Sequence, residues 1–323
     1  MAFPTPAVTT TTAATFIPEI WSDEIVAAYK KNLVAANLVK RMNYKGKKGD
    51  TVHVPSPTRG SASAKAASTA VTLIAATESE VQVLIDKHYE YSRLIEDIVE
   101  VQALSSLRSF YTEDAGYALA RQVDTDLIRL GRSFNGATVG TNDYATSNSS
   151  TKAYIGSDGT TAYNSTTSNA AALTDAAIRR TIQRLDDNDV PMDGRFFIIP
   201  PSSRNTLMGL ARYTEQAFVG EAGANTTIRN GEIGNLYGMP VFVTSNADTG
   251  AGNSGADRIC LMGHRDSMVL VEQVGIRSQT QYKQEYLATL YTADTLYGVK
   301  AMRTSASSGV ATSSSAYALA VPA

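Results

Sequence analysis

The chain has 323 residues, of which 43% are hydrophobic and 19% charged, a composition typical of a globular protein rather than a disordered or membrane-embedded one. The 29 lysines and arginines are balanced by 31 acidic residues, so the formal net charge of −2 leaves no basic surplus for binding nucleic acid phosphates. One cysteine, Cys260, excludes an intramolecular disulfide and a multi-thiolate metal site, and three histidines leave little material for zinc chemistry. We expect no signal peptide and no bilayer-spanning segment.

Residues 1–17 are rich in threonine and alanine and are expected to form a loose arm. A helix is predicted to follow, with Ser22 as its N-cap and acidic residues in its first turn. Its apolar positions recur at helical spacing and include Tyr29. Trp21 precedes the cap, where it either packs on the following turn as a hydrophobic staple or anchors a partner.

A protruding β-arm is predicted for residues 46–91. A first strand carries Val52 and Val54 on one face, and residues 55–77 are rich in alanine, serine and threonine and cannot form a core of their own. A second strand alternates over residues 81–91, with apolar or long side chains on one face and polar ones on the other. A polar loop of this length inside a compact domain would be unusual, and an arm that packs on something else resolves the difficulty.

The strongest helical pattern covers residues 94–134, where one apolar stripe continues without an interior proline. A helix of about forty residues would be a rod of about 60 Å, with Gly116 as a plausible bend. Neighbouring carboxylates on this helix, Glu96 with Glu100 and Asp124 with Asp126, are indistinguishable from an exposed face by pattern alone.

The second half of the chain predicts a glycine-punctuated α/β region. A polar insertion at 135–169 precedes a helix capped by Thr174 that runs to about Asp187, a buried strand at 195–199, and a helix after Ser202 or Ser203. A turn and strand follow at 233–245, and strands at 258–262 and 267–274 are expected to continue the same sheet. Residues 284–298 are compatible with helix or strand.

No motif predicts an active site, a cofactor or a metal centre. Gly250, Gly252 and Gly255 match GxGxxG, but a strand rather than a helix follows, so a hairpin loop is favoured over a dinucleotide site. Cys260 lies in an apolar strand, where cysteine usually behaves as a small hydrophobe, and His264 lies in the turn beyond it. The acidic stretch 186–194 has Pro191 at a position where a calcium loop needs a ligand.

The order of these elements resembles the major capsid proteins of tailed bacteriophages with the Hong Kong 97 type fold. The resemblance is carried by residues 16–25 (FIPEIWSDEI), the excursion 46–91, the long helix 94–134 and the segment 231–245 (GEIGNLYGMPVFVTS). It implies an α+β fold with five parts: an N-terminal arm and helix (1–45), an extended β-loop (46–92), a peripheral domain with a spine helix and the insertion 135–169 (93–200), a central-sheet axial domain (201–275), and a return to the peripheral domain with a C-terminal tail (276–323).

The resemblance further implies a non-enzymatic subunit that assembles with itself into hexamers and pentamers of an icosahedral virion head. Such a head encloses double-stranded DNA without sequence-specific binding, is assembled in the host cytoplasm, and has scaffolding, portal and decoration proteins as further candidate partners. Inter-subunit contacts are expected from the arm, from the loop cations and from acidic partners: Trp21, Tyr29, Arg59, Lys65, Glu80, Asp86 and Glu90. Reversing the charge of Arg59 to glutamate is expected to impair assembly more than folding.

The sequence leaves two alternative functions open and disfavours a third. An encapsulin-type cellular compartment has the same fold but carries enzyme cargo, and a phage tail or surface-layer protein would show helical or planar order. A monomeric enzyme or receptor-binding module is disfavoured by the coreless loop and the missing catalytic groups.

Overall fold

The computed structural model describes residues 33–46, 48–57, 62–71, 73, 78–98, 106–134, 153–164, 168–210, 234–250, 257–302 and 314–323. The predicted helix around Trp21 and Tyr29, and also Arg59, Gly252 and Gly255, lie outside these residues.

The described chain forms four helices and twelve strands. The helices are α1 (Ala35–Leu38), α2 (Ser106–Arg129), α3 (Asp175–Asp187) and α4 (Pro201–Met208). The strands are β1 (Lys40–Asn43), β2 (Thr51–Pro57), β3 (Glu78–Leu84), β4 (Lys87–Glu96), β5 (Tyr154–Ile155), β6 (Arg195–Ile199), β7 (Asn235–Leu236), β8 (Met239–Val243), β9 (Asp257–His264), β10 (Met268–Lys283), β11 (Ala288–Ala301) and β12 (Ala316–Pro322).

A two-stranded antiparallel hairpin forms the base of the predicted excursion. β2 pairs with β3 from Thr51 opposite Leu84 to Pro57 opposite Glu78. One face of the hairpin is apolar, and its Val52 and Val83 pack against valines of β10, so the base of the excursion is fixed to the body of the protein. The predicted strand pair is confirmed.

The second predicted strand is divided in two, which corrects the continuous strand expected over residues 81–91. β3 ends at Leu84 and β4 begins at Lys87 in a different sheet, whereas the predicted alternation of buried and exposed side chains persists through the break. The backbone N–H of Ile85 donates to the Asp50 carbonyl at 2.8 Å, and this contact closes the hairpin at the point where the chain changes sheets.

The long helix starts later than its apolar pattern predicts. Residues Leu94, Ile95 and Glu96 are in β4, opposite Leu290, Thr289 and Ala288 of β11, so a helix from residue 94 is wrong. α2 has 24 residues, about 36 Å at 1.5 Å per residue, and continues as a 3-10 turn over Leu130–Ser133. The chain is helical at Gly116, and residues 99–105 are not among those described.

α2 lies between two sheets. One has four strands in the order β1-β10-β11-β4, with β1 parallel to β10 and the other pairs antiparallel; the other has six strands in the order β5-β12-β9-β6-β8-β7. Leu127 and Ile128 of α2 join Ile198 of β6 and Leu270 of β10 in a core that connects both sheets. On the opposite face of the six-stranded sheet, α3 and α4 cover a second core that contains Cys260.

The helix and strand predictions for residues 174–199 are confirmed. The Thr174 hydroxyl accepts from the Ala177 N–H at 3.3 Å as N-cap of α3, and every residue of β6 is buried. α4 starts at Pro201, slightly before the predicted serines, because proline at the first helical position forfeits no hydrogen bond.

Two predictions for the following strands need correction or completion. β10 was expected to continue the sheet of β9, but a 3-10 turn over Arg265–Ser267 directs it into the four-stranded sheet. Residues 284–298, compatible with helix or strand, are a turn over residues 284–287 followed by β11, and the last turn residue, Leu287, has a φ of 45°.

The end of the polar insertion belongs to the body of the protein rather than to a surface decoration. β5 pairs in parallel with β12, and Tyr163 is only 3% exposed, with its hydroxyl donating to Asp257 Oδ2 at 2.7 Å. Residues 135–152 are outside the described structure. The six-stranded sheet thus takes strands from three of the five segments into which the sequence was divided (93–200, 201–275 and 276–323).

Candidate inter-subunit surfaces

The polar excursion extends beyond the β2–β3 hairpin without a core of its own. Residues 62–71 are all exposed, and within the described chain they join no strand. Lys65 lies in this stretch, and Val71 and Leu73 are 67% and 88% exposed, unusually high values for apolar side chains. A segment of this kind gains stability only from contact with something outside its own fold.

Three acidic residues were predicted as contacts: Glu80 lies on the exposed face of β3, Asp86 in the break after β3, and Glu90 on β4. Glu80 has partners on the hairpin itself: Gln82 Nε2 donates to Oε1 at 2.7 Å, and His53 Nδ1 lies 2.9 Å from Oε2. These hydrogen bonds, Gln82 first, lower the pKa of Glu80. Asp86 and Glu90 are exposed, and no ion pair within the described residues involves them.

Asp124 of α2 is a buried carboxylate that holds the start of α1. Its Oδ1 accepts the backbone N–H groups of Val34 at 3.0 Å and Ala35 at 2.7 Å, and its Oδ2 accepts Asn246 Nδ2 at 2.9 Å. Burial raises the pKa of Asp124, and these hydrogen bonds act in the opposite direction. The carboxylate thus ties the start of the described chain, at Val34 and Ala35, to α2.

Asp126, one half-turn further along α2, joins the helix to the four-stranded sheet. Its Oδ2 accepts the Tyr297 hydroxyl of β11 at 2.8 Å and lies 3.4 Å from Lys87 Nζ of β4. Burial, followed by the charge of Asp126, raises the pKa of Tyr297, so the phenol stays protonated and donates. Because Lys87 begins β4 directly after the hairpin, this cluster fixes the base of the excursion against α2.

The sequence pattern did not distinguish Asp124 and Asp126 from an exposed face, although a signal for the burial of Asp124 was present. Leu127 and Ile128 lie three and four residues after Asp124, on the same helical face, and both are fully buried. An acid among such neighbours is expected to accept buried donors. The donors themselves come from residues 90 and 122 positions away in sequence, which no local pattern specifies.

The residues considered for chemistry occupy structural positions. Cys260 is fully buried, and burial raises the pKa of its thiol to about 12, far from that of a reactive thiolate. His264 Nε2 lies 2.8 Å from the Asp193 carbonyl and Nδ1 accepts the Asp266 N–H, so the ring caps a turn. In the acidic stretch, Asp186 lies 2.7 Å from Arg195 Nη2.

The described residues offer neither a metal site nor a membrane-spanning helix. No group of three or more histidine, cysteine, aspartate or glutamate side chains there could hold a metal ion. None of the helices in the described part of the chain combines the length and the apolar composition needed to cross a bilayer.

The fold is that of phage capsid subunits. A chain of Mycobacterium phage Che8 matches 94% of this chain and 97% of its own, with a TM-score of 0.71 and 24% identity. A capsid chain of cyanophage P-SCSP1u matches 96% and 94% with a TM-score of 0.68 and 17% identity, and one of Ralstonia phage GP4 matches 95% of both chains with 0.65 and 16%. At these identities the likeness establishes a shared mixed α/β fold.

Sequence comparison then gives the family. Residues 35–307 match the model of a phage capsid protein family, which is most of the chain, and the chain belongs to that family. None of the curated proteins matches it. The protein therefore has a structural role in the virion capsid and is not an enzyme, which confirms the resemblance read from the sequence.

Proposed function

We propose that the protein is a major capsid subunit whose copies assemble into hexamers and pentamers of an icosahedral head that encloses double-stranded DNA. The observation that carries the proposal is the family match over residues 35–307, which includes the excursion, the whole four-stranded sheet and every strand of the six-stranded sheet except β12. The exposed, coreless stretch 62–71 supports it, because such a stretch is suited to lie on a neighbouring subunit.

The two sheets support a two-domain arrangement of the Hong Kong 97 type. The four-stranded sheet with α2 corresponds to a peripheral domain whose spine helix is α2, and the six-stranded sheet with α3 and α4 corresponds to an axial domain. This assignment places β5, β6 and β12 in the axial domain and so redraws the boundaries at residues 200 and 275. Residues 1–45 and 46–92 keep the arm and the extended loop, except that β1 and the start of β4 belong to the four-stranded sheet and so to the peripheral domain.

The contacts proposed for assembly are individually weak. Lys65 and Arg59 of the loop are proposed to meet acidic groups such as Asp86 and Glu90 of a neighbour, with Trp21 and Tyr29 of the arm as apolar anchors. Exposed ion pairs contribute about 0–1 kcal/mol each, so they set specificity and register more than stability. Many weak, repeated contacts allow wrongly placed subunits to dissociate before the shell closes.

The test is negative-stain electron microscopy of the purified protein, together with sedimentation velocity on the same sample. Closed polyhedral particles, or uniform rings of five or six, are expected. A monodisperse monomer at every salt and protein concentration, also after coexpression with a candidate scaffolding protein, would overturn the proposal. Particles that contain one co-purifying enzyme instead of DNA would favour an encapsulin-type compartment.

The loop is tested separately through Lys65→Glu, an exposed substitution that leaves the hairpin base intact. The variant is expected to fold with an unchanged circular dichroism spectrum and to assemble poorly. Arg59→Glu is expected to behave in the same way. Shells with normal yield from both variants would remove these cations from the proposed interface.

A further inference from the structure

A basic cleft lies between the end of α1, the start of β1 and the 3-10 turn that follows β9. Its volume is about 570 Å³, and its lining contains three cations, Lys40, Arg41 and Arg265, against one carboxylate, Asp266. The cleft thus carries a formal net charge of +2 on a chain whose total is −2. Such a local surplus favours an anionic partner.

The fold holds the guanidinium of one of the cleft's cations, Arg41, and the backbone of another, Arg265. Arg41 Nε donates to the Ala36 carbonyl at 2.8 Å, which fixes the guanidinium at the end of α1. The backbone N–H of Arg265 donates to the Gly194 carbonyl at 3.0 Å, which fixes the turn that presents its side chain. Cations that are already positioned lose less conformational entropy when a partner binds.

Beside the cleft lies an exposed acidic loop, residues 186–193, which comprises the last two residues of α3 and the turn that leads to β6. Asp187, Asp189 and Asp193 are exposed, and no ion pair within the described residues uses them, whereas Asp186 is bound to Arg195. Met192, next to Asp193 in the loop, is 74% exposed. The loop therefore exposes three carboxylates and one apolar side chain.

The conformation of the acidic loop is fixed by hydrogen bonds to the rest of the fold. Asn188 Nδ2 donates to the Ser314 carbonyl at 3.0 Å, and Arg195 Nε donates to the Pro191 carbonyl at 2.9 Å. A loop held at both ends can enter a cleft without first being ordered.

The cleft and the loop meet at one point of the fold. The Asp193 carbonyl accepts from His264 Nε2 at 2.8 Å, and the next carbonyl, that of Gly194, accepts from Arg265. Two complementary surfaces therefore lie side by side, yet within the described residues no ion pair joins the loop's carboxylates to the cleft's cations. Side-by-side placement is what a two-fold contact requires, since there each surface of one copy meets the other surface of its mate.

We propose that the basic cleft of one copy receives the acidic loop of a second copy, in a two-fold contact to which each copy contributes one cleft and one loop. The proposal rests on the proposed function in one respect, that copies of the chain associate. A phosphate backbone is the less suitable occupant, because the adjoining loop of the same chain repels a polyanion at contact range. A second copy brings cations opposite that loop, so charges alternate across the contact.

Two charge-reversed chains test the contact. The cleft-reversed chain carries Lys40→Glu and Arg265→Glu, and the loop-reversed chain carries Asp187→Lys and Asp193→Lys. Arg41 and Asp189 are left unchanged, because Arg41 supports α1 and Asp189 has a φ of 55° that lysine adopts less readily. For each reversed chain alone, the association constant at low salt is expected to fall about tenfold, since like charges then face each other across the contact.

Rescue distinguishes direct contact from general charge effects. A chain with all four substitutions, and a mixture of the two reversed chains, are expected to recover association to within about twofold of the wild type. Matched controls change the same total charge elsewhere on exposed positions: Lys48→Glu with Arg180→Glu for the cleft, and Glu113→Lys with Glu285→Lys for the loop. Circular dichroism confirms that every variant is folded.

Association is measured twice, by particle yield in electron microscopy and by sedimentation equilibrium of the unassembled subunit. A wild type that forms a salt-sensitive dimer but no particles would support this contact and count against the proposed function. Particles whose yield, like the subunit's dimerisation, is unaffected by both reversals would overturn the contact and leave the proposed function intact. Loss of association in the cleft-reversed chain alone, without rescue, would also overturn it and would assign the cleft to another anion such as DNA.

Discussion

Removing the Asp124 carboxylate is the sharpest perturbation of the fold itself. In Asp124→Ala the N–H groups of Val34 and Ala35 and the amide of Asn246 lose their acceptor in a buried site. A buried donor without a partner costs about 1–3 kcal/mol, so three donors amount to a gross loss of ~3–9 kcal/mol. The substitution also removes a buried charge that cost several kcal/mol to desolvate, and a net loss of ~2–4 kcal/mol remains.

Urea denaturation followed by circular dichroism measures this loss. The midpoint of Asp124→Ala is expected to fall while the slope is unchanged. Glu113→Ala, which removes an exposed carboxylate of the same helix α2, is the matched control and should lie within about 0.5 kcal/mol of the wild type. An Asp124→Ala protein as stable as that control would refute the role assigned to the carboxylate.

The pH dependence of the same site has a definite sign. Burial raises the folded-state pKa of Asp124 above its ordinary value of 3.8. The group therefore contributes stability below pH 3.8 that is lost as pH rises through the folded pKa. When the free energy of unfolding is measured against pH for the wild type and for Asp124→Ala, this loss of stability above pH 3.8 should occur in the wild type and be absent from Asp124→Ala.

Three further predictions follow from single positions. Gly298→Ala would place a methyl group 2.2 Å from the Leu84 carbonyl oxygen, so the hairpin base must shift, and the free energy of unfolding should fall by about 1–3 kcal/mol; an unchanged urea midpoint would contradict this. Cys260, whose pKa is raised to about 12 by burial, should resist thiol reagents at about pH 8 until the protein unfolds, and equal labelling rates in the native and denatured states would contradict its inert role. Burial tends to raise the pKa of Asp158, but hydrogen bonds from Thr161 and Thr160 outweigh it and lower the pKa to about 2. The stability that this carboxylate contributes is complete above pH 3.8 and should disappear as pH falls towards 2. A carboxyl NMR titration of Asp158 with a midpoint near 4 would be inconsistent with these bonds.

The local sequence pattern was sufficient to predict helices and strands where that pattern was strong and continuous. The helix capped by Thr174 and the strand at 195–199 were read correctly, because a side-chain cap and a wholly apolar five-residue run are properties of adjacent residues. The hairpin base was also predictable, since the alternation at Val52 and Val54 requires only one buried face. The family resemblance followed from the order of these elements rather than from any one of them.

Pattern failed where a distant partner decides the structure. Leu94 continues the apolar period of α2, yet a place opposite Leu290 in β11 makes it a strand residue, and that pairing spans nearly 200 positions of sequence. The same cause hid Asp124 and the change of sheet between β9 and β10. Among the predicted contact residues, Glu80 has partners on its own hairpin, which no charge pattern could reveal.

The buried carboxylates of α2 bear on assembly because a small rotation at the base of a long segment displaces its far end by a large distance. β3 has seven residues, about 23 Å at 3.3 Å per residue, and the excursion continues beyond it. A rotation of about 10° at the base would displace the far end of this strand by roughly 4 Å, more than the 0.5 Å range within which hydrogen bonds form. Asp126 prevents such rotation by holding Lys87 and Tyr297 together, and Asp124 does the same for the N-terminal segment at Val34. Segments that bind a neighbour through weak contacts need rigid bases, and the buried hydrogen bonds of Asp124 and Asp126 supply that rigidity at the base of each segment.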